Sequence, residues 1–175
     1  DEAPDVPNSS SPGDLTFVPA HLRQDDPEEP PLLVPATLYF SATDGVNGRE
    51  LWKTVLDGGG TQTSLVRNIF EDLPGEPPNS SNPTQLIRFQ NQVYFSARDG
   101  SYRDIEDADG NVIEANHLDS HGTELWRSDG TVHGTELVQD IDHFVDTSGS
   151  GDDVPQSSAP GNFAVHNGRL YFAAS

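Results

Sequence analysis

Residues 124–141 read ELWRSDGTVHGTELVQDI, and the other predicted elements of the chain are arranged around this stretch. Residues 124–126 are apolar and aromatic enough for a β-strand, and Asp129-Gly130 is a strong signal for a two-residue hairpin turn. Residues 137–141 then supply a second strand. The stretch therefore predicts a strand, a tight turn and a second strand.

The same pattern occurs earlier in the chain, so the sequence contains an internal repeat. Residues 50–53 (ELWK) correspond to residues 124–127 (ELWR). Residues 65–69 (LVRNI) correspond in the same way to residues 137–141 (LVQDI). Each copy therefore predicts the same pair of strands.

A further strand, marked by a Tyr-Phe pair, occurs three times. It lies at residues 38–42 (LYFSA), 93–97 (VYFSA) and 170–174 (LYFAA). A strand that begins at a proline precedes the last two copies, and Asn167-Gly168 predicts a type I′ turn in the last of them. One unit is therefore four short strands, joined mostly by hairpins.

These elements predict an all-β fold of β-propeller-like, four-stranded repeats. Adjacent apolar residues such as Leu125 and Trp126 indicate strands covered on both faces, as in blades packed on neighbouring blades. Two units and the first strand of a third are too few for a closed propeller. The predicted parts are an extended or flexible, acidic, proline-rich leader (1–31), unit 1 (32–82), unit 2 (83–160, with an insertion at 101–121) and the start of unit 3 (161–175).

Two short β-prone segments precede the first tyrosine strand. Leu32–Val34 lies roughly where a strand precedes the other tyrosine strands, so we expect it to be the outer or preceding strand of unit 1. Residues 15–18 (LTFV) are either an isolated stretch in a linker or a strand that docks on a sheet edge. The sequence leaves these two alternatives open.

The composition limits the kinds of partner. The net charge is −20, from 29 acidic and 9 basic side chains, so nucleic acid and anionic lipid are repelled and divalent cations are attracted. Surface acidity that maintains solubility explains the same balance. No cysteine is present, which excludes disulfides and thiolate chemistry. No apolar run approaches the length of a membrane span, and the first residues, Asp-Glu-Ala-Pro, lead us to expect that a signal peptide has been removed.

An acidic segment of the insertion is the best candidate for a metal site. Closely spaced carboxylates beside a glycine turn can place oxygen ligands around Ca²⁺, which takes about six to eight of them. The alternative is a solvated acidic loop with an ordinary Asp-Gly turn. The candidate ligands are Asp104, Asp107, Asp109, Asn111 and Asp119.

Catalytic motifs are missing from the sequence, so we expect no enzyme activity. A nucleophile elbow, a Walker A loop and a dinucleotide fingerprint are all lacking, and the six histidines show no zinc-ligand spacing. Trp52 and Trp126 share one repeat position, which favours a packing role over stacking on a sugar ring. Asp129 and Gly130 are the corresponding structural positions of the turn.

A family resemblance follows from these residues. Residues 124–135 (ELWRSDGTVHGT), the Leu-Val-x-Asp-Ile strand and the Tyr-Phe-Ser-Ala strand resemble the signature of the bacterial ELWxxDGT-repeat proteins. The resemblance covers about residues 38–175, although residues 53–60 (KTVLDGGG) lack the SDGTxxGT wording. It implies a secreted or cell-surface protein with β-propeller blades, and it brings no catalytic residues.

Together these inferences predict an extracellular, non-catalytic repeat protein with a structural or adhesive role. The alternative is a ligand- or glycan-binding propeller module. No ELW strand follows the last tyrosine strand, and an open apolar edge invites pairing with another chain. We therefore expect the chain to belong to a longer parent protein or to an assembly with other protein chains.

Overall fold

The structure is a computed structural model that describes residues 10–24, 26–106, 111–142, 145–146, 154–155 and 157–175. Within these ranges the fold is all-β, as predicted: strands are the regular elements, and the strands pair antiparallel in several sheets, none of which closes on itself. The described residues include no helix that is long and apolar enough to cross a membrane.

The first four-stranded sheet, which we call sheet one, contains the first ELW motif. The strands of this part of the chain are β1 (Gly13–Val18), β2 (His21–Arg23), β3 (Leu32–Val34), β4 (Ala36–Thr43), β5 (Arg49–Leu56) and β6 (Thr61–Arg67). Sheet one has the order β1-β4-β5-β6, and β2 and β3 form a separate hairpin.

The second four-stranded sheet, sheet two, contains the second ELW motif. Its part of the chain holds β7 (Thr84–Phe89), β8 (Gln92–Arg98), β9 (Ser101–Glu106), β10 (Val112–Asp119), β11 (Thr123–Ser128) and β12 (Glu136–Gln139). Sheet two has the order β7-β8-β11-β12, which is the order of sheet one. The insertion between β8 and β11 forms the hairpin β9–β10.

The last tyrosine strand belongs to a two-stranded sheet, sheet three. The remaining strands are β13 (Val145–Asp146), β14 (Val154–Pro155), β15 (Gly161–His166) and β16 (Arg169–Ala173). Sheet three is β15–β16. Both residues of its turn have positive φ, 49° at Asn167 and 69° at Gly168, so the predicted type I′ turn is confirmed.

The outer strand of sheet one is β1, and the expectation for Leu32–Val34 is wrong. Thr16 pairs with Tyr39 as Ile87 pairs with Tyr94 in sheet two, whereas Leu32–Val34 pairs with β2. Sequence spacing pointed to the wrong segment because the hairpin β2–β3 is inserted between the first two strands of this sheet. The segment 15–18 is therefore a docked strand.

Sheets one and two each have two faces, named here by the position of the tryptophan. The front face carries Trp52 opposite Phe40 in sheet one and Trp126 opposite Phe95 in sheet two; the back face is the other side. The front face of sheet two packs on the back face of sheet one, and this contact forms the core. The core side chains are Val18, Tyr39, Leu51, Val66 and Ile69 from unit 1, and Val93, Phe95, Ala97 and Trp126 from unit 2.

The first strand of sheets one, two and three carries the same β-bulge, seen as a register shift in β1, β7 and β15. The bulged residues have positive φ: 49° at Asp14, 55° at Gln85 and 55° at Asn162. The Gln85 N–H donates to Asp14 Oδ1 at 3.2 Å, and the Asn162 N–H donates to Gln85 Oε1 at 2.7 Å. The first strands of the three sheets are therefore linked in order by one repeated contact, the bulge ladder.

Candidate functional site: the joint between units

Two glutamates without exposed surface hold the junctions between units. Glu50 and Glu124 are the first residues of the two ELW motifs, and both are 0% exposed. Each lies opposite an alanine of the neighbouring strand, Ala42 or Ala97, whose small side chain leaves room for the carboxyl group. Burial removes a carboxyl group from water, so hydrogen-bond donors of the protein must replace the water.

Glu124 receives three hydrogen bonds from the segment between units 2 and 3. The Ser158 N–H donates to Oε1 at 2.7 Å, and the Ser158 hydroxyl donates to Oε2. The Ile141 N–H donates to Oε2 at 3.1 Å. One side chain therefore fixes a residue that follows β12 and a residue that precedes β15.

Glu50 has the same three partners one unit earlier. The Ser81 N–H donates to Oε1 at 2.8 Å, the Ser81 hydroxyl donates to Oε2, and the Ile69 N–H donates to Oε2 at 3.1 Å. Burial raises the pKa of Glu50 to about 7, although the hydrogen bonds from Ser81 and Ile69 favour the ionised form. The junction between units 1 and 2 thus repeats the junction between units 2 and 3.

The serines belong to a Ser-Ser-x-Pro motif that begins each following unit, at residues 80–83 and 157–160. The first serine hydroxyl accepts the N–H of the residue before the glutamate, Arg49 or Thr123, at 2.9 Å in both copies. The third residue of the motif, Asn82 or Ala159, has positive φ, 47° and 42°. Its N–H donates to the carbonyl oxygen of Arg49 or Thr123, respectively. We call this arrangement of the glutamate and the Ser-Ser-x-Pro motif the joint.

The SDGT turn of unit 2 is a second contact between the units. Lys53 Nζ donates to the Gly130 carbonyl oxygen at 2.7 Å, and Asp129 Oδ1 accepts the Thr131 N–H at 2.9 Å. Gly130 has φ of 90°, and a Cβ atom at this position would clash with the Tyr39 hydroxyl. Burial raises the pKa of Tyr39, and the charge of Asp129 raises it further. The turn therefore rests on the back face of sheet one.

This turn is longer than the sequence signal predicted. β11 ends at Ser128 and β12 begins at Glu136, so the two-residue hairpin predicted at Asp129-Gly130 is wrong. The side chains explain the difference, because Asp129 Oδ1 and the Ser128 hydroxyl accept backbone N–H groups within the turn. These local bonds replace the strand pairing that a tight hairpin would require.

The two tryptophans occupy equivalent positions but differ in burial. Trp126 is 4% exposed, because the back face of sheet one covers it and the Arg67 guanidinium lies 5.9 Å from its ring centre. Trp52 is only half-buried, although the shared repeat position predicted the same packing role for both. Among the described residues, no sheet covers the front face of sheet one.

The open front face of sheet one forms an apolar hollow of about 490 Å³. Leu15, at the rim, is 60% exposed, and Phe17 on the same strand is 50% exposed. The main apolar residues of the lining are Leu15, Leu38, Phe40, Ala42 and Trp52. The hollow therefore lies on the face of sheet one that corresponds to the front face of sheet two, which is part of the core.

The predicted calcium ligands are divided between the two ends of the hairpin β9–β10. Ser101 pairs with Asp119 and Glu106 pairs with Val112, so Asp119 lies at the base of the hairpin and Asn111 lies near its tip. Five residue steps of strand separate these ends, which is about 16 Å. Ca²⁺ ligands lie at about 2.3–2.6 Å, so Asp119 cannot join Asn111 in one site.

Two of the other candidate ligands are not among the described residues. Asp104 is in β9, and Asp107 and Asp109 fall outside the described residues. Among the residues that the structure describes, no group of three or more His, Asp or Glu side chains could hold a metal ion. Calcium binding through Asp104, Asp107, Asp109 and Asn111 stays a prediction.

Sequence reasoning missed the joint. The ELW glutamates were counted only as part of a repeated strand, and the serines were assigned to loops. The available signal was the Ser-Ser-x-Pro motif, which precedes the first strand of each unit at 9–12, 80–83 and 157–160. A charged residue at a fixed position of a repeated apolar strand was the second signal, because burial of such a residue requires dedicated partners.

No protein-family model matches the chain, no curated protein is detectably similar to it, and no solved structure resembles it. The resemblance to the ELWxxDGT-repeat proteins therefore rests on the repeated residues themselves.

Proposed function

We propose that this chain is a non-catalytic structural or adhesive repeat protein, secreted and acting outside the cell. Its units stack face to face like the blades of a β-propeller, within a larger assembly or a longer parent protein. The observation that carries the proposal is the joint, which occurs twice with the same buried carboxyl group and the same three donors.

The bulge ladder supports a radial order of the units. In a propeller the blades surround one central channel, so contacts should repeat from each first strand to the next. The hydrogen bonds from Gln85 to Asp14 and from Asn162 to Gln85 are such a repeat. A purely local device would have no reason to use the same position in three units.

Exposed apolar surface supports the assembly part of the proposal. Leu15 and Phe17 on β1 are largely exposed, and Tyr171 and Phe172 on β16 are 49% and 38% exposed. Contiguous apolar surface of this kind marks protein interfaces in soluble proteins. Stacking of a further unit would cover such surface.

Light scattering on residues 1–175 tests this function. We expect particles larger than one chain, and we expect Leu15→Lys with Phe17→Lys to reduce their size, because both side chains lie on the open face. The same pair of changes should leave the far-ultraviolet circular dichroism spectrum unaltered. A cooperative, well-folded monomer without any partner would contradict the proposal.

The hollow favours one alternative function, the binding of a glycan or another ligand. Phe40 and Trp52 line the hollow, and aromatic rings can stack on sugars. Its lining has few polar groups to orient a ligand, whereas ligand sites combine apolar walls with placed polar groups. Binding on a glycan array that is lost in Trp52→Ala would favour this alternative over the structural role.

A further inference from the structure

We infer that the front face of sheet one, together with Ser10, is a docking surface for a further four-stranded unit of the same ELW type. That unit covers the hollow with its back face, and its ELW glutamate accepts the N–H and hydroxyl of Ser10. The inference rests on the proposed stacking function and names the surface and the partner that the stacking uses.

The front faces of the two sheets carry matching side chains in different environments. In sheet two, Val93 and Phe95 are 0% exposed, because the back face of sheet one covers them. Leu38 and Phe40 hold the same register positions in sheet one and are only half-buried. The back face of an ELW unit is therefore the surface already known to fit this set of side chains.

Ser10 has the geometry of a joint that lacks its glutamate. Its carbonyl oxygen accepts the Thr43 N–H at 3.1 Å, as the Ser81 carbonyl accepts the Arg98 N–H at 2.8 Å and the Ser158 carbonyl accepts the Ser175 N–H at 3.0 Å. The residue after each of these serines has positive φ: 39° at Ser11, 47° at Asn82 and 42° at Ala159. Pro12, Pro83 and Pro160 then follow.

The difference between the three serines is burial. Ser81 and Ser158 are 0% exposed and donate to Glu50 and Glu124. Ser10 is exposed and lies on the rim of the hollow. Within the described residues, no carboxylate accepts its N–H or its hydroxyl. A carboxylate supplied from the side of the hollow would complete the third joint.

A second folded copy of this chain does not meet this requirement. Glu50 and Glu124 are both engaged by the serines of their own chain. Among the described residues, sheet three consists of β15 and β16, and neither is an ELW strand. The partner that completes the joint is therefore a unit with an unused ELW glutamate, and association of identical chains through the open face leaves Ser10 without this carboxylate.

The docking does not use the SDGT turn. In unit 1 this turn is replaced by residues 57–60 (DGGG), and a Cβ atom added at Gly58 or Gly60 would meet nothing within 4 Å. The contact that Gly130 makes with Tyr39 is therefore not available here. The strands and Ser10 must carry the contact.

The test adds the partner at the natural spacing. A copy of residues 10–79 is inserted between Asn8 and Ser9 of the full chain, so that Ser9 and Ser10 follow it as Ser80 and Ser81 follow Asn79. The copy carries Trp52→Phe, so each remaining tryptophan is distinguished by mass spectrometry. Hydroxyl-radical footprinting then reads Trp52, with buried Trp126 as the internal reference.

We expect oxidation of Trp52 to fall several-fold, to the level of Trp126. A matched insertion that also carries Glu50→Gln in the copy should protect Trp52 less, because the amide cannot accept all three hydrogen bonds. Unchanged oxidation of Trp52, whether or not the inserted copy folds, would overturn the inference. Protection of Trp52 in the natural chain itself, by residues 1–9, would also overturn it.

This result is separable from the light-scattering test of the function. If the natural chain assembles but the insertion leaves Trp52 oxidised, the docking surface is wrong and the structural role survives. If the insertion protects Trp52 while the natural chain is a stable monomer, the docking surface is correct and the assembly role fails.

Discussion

At the scale of single residues, the joint depends on a carboxyl group that has been removed from water. Such a group is stable in the interior only when donors replace its hydration. Glu124 has three donors, from Ser158 and Ile141, which lie far along the chain from it. The glutamate therefore determines the path of the chain between units as well as the packing of its own strand.

The raised pKa of Glu50 predicts a pH-dependent stability. Folding raises its pKa from 4.5 to about 7, so between these values the folded state binds a proton that the unfolded state has released. This contribution is fully present below pH 4.5 and is lost as the pH rises to about 7. The loss is at most about 3 kcal/mol.

Urea unfolding at several pH values measures this contribution as the difference in the free energy of unfolding between the natural chain and Glu50→Gln. The free energy of unfolding of the natural chain should fall relative to that of Glu50→Gln as the pH rises from 4.5 to about 7. Above this interval the difference should stay constant. Glu76→Gln, at an exposed position, is the matched control and should show no such trend. A difference that is independent of pH would refute the assignment.

The tryptophans predict unequal losses of stability. Trp126→Ala should reduce the free energy of unfolding by about 3–5 kcal/mol, the range for a buried large aromatic side chain. Trp52→Ala should reduce it by less, since Trp52 is half-buried and faces the hollow. Denaturant titration of both variants tests the order. A loss below about 1 kcal/mol for Trp126→Ala would mean that the strand register is wrong.

At the scale of elements, the repeated strands were predictable and the connections were not. The tyrosine, ELW and Leu-Val strands all lie where the sequence predicted them, because β-branched and aromatic residues recur there at fixed spacing. The turn at Asn167-Gly168 was predictable because its backbone alone determines it. The turn at Asp129-Gly130 was not, because its side chains accept the bonds of the backbone.

Gly130 predicts that the SDGT turn is a packing element between units. Gly130→Ala adds a Cβ atom against Tyr39 and also strains a φ of 90°. Gly58→Ala strains a φ of 83° in open space, so it is the matched control. We expect about 1 kcal/mol of destabilisation for the control and clearly more for Gly130→Ala. Equal losses in thermal unfolding would show that the turn does not contact sheet one.

The hairpin β9–β10 predicts a calcium effect at its tip. Asp107 and Asp109 lie in the sequence between β9 and β10, whereas Asp119 lies at the base of the hairpin. Isothermal titration of the folded chain should therefore show heat with Ca²⁺ that Asp107→Asn with Asp109→Asn removes and Asp119→Asn retains. The absence of heat in the natural chain would exclude a calcium site.

At the scale of the whole molecule, the units are held by the face-to-face packing of sheets one and two and by two repeated contacts, the bulge ladder and the joint. The packing was predictable from adjacent apolar residues such as Leu125 and Trp126, because a strand that is covered on both faces needs apolar side chains on both of them. The ladder and the joint were not predictable, because both pair polar residues that lie far apart in the sequence. In the ladder the paired residues are 71 and 77 positions apart. Such pairs leave no local pattern in one sequence.

Hydrogen exchange of Glu124→Gln tests most directly whether the joint holds consecutive units together. The amides of Ile141 and Ser158 and those of β15–β16 should lose protection, while β4 and β5 should exchange as in the natural chain. Glu76→Gln is again the control. We expect this loss on the unit 3 side of the joint, whereas unchanged protection of Ser158 and β15–β16 would show that the glutamate does not hold the units together.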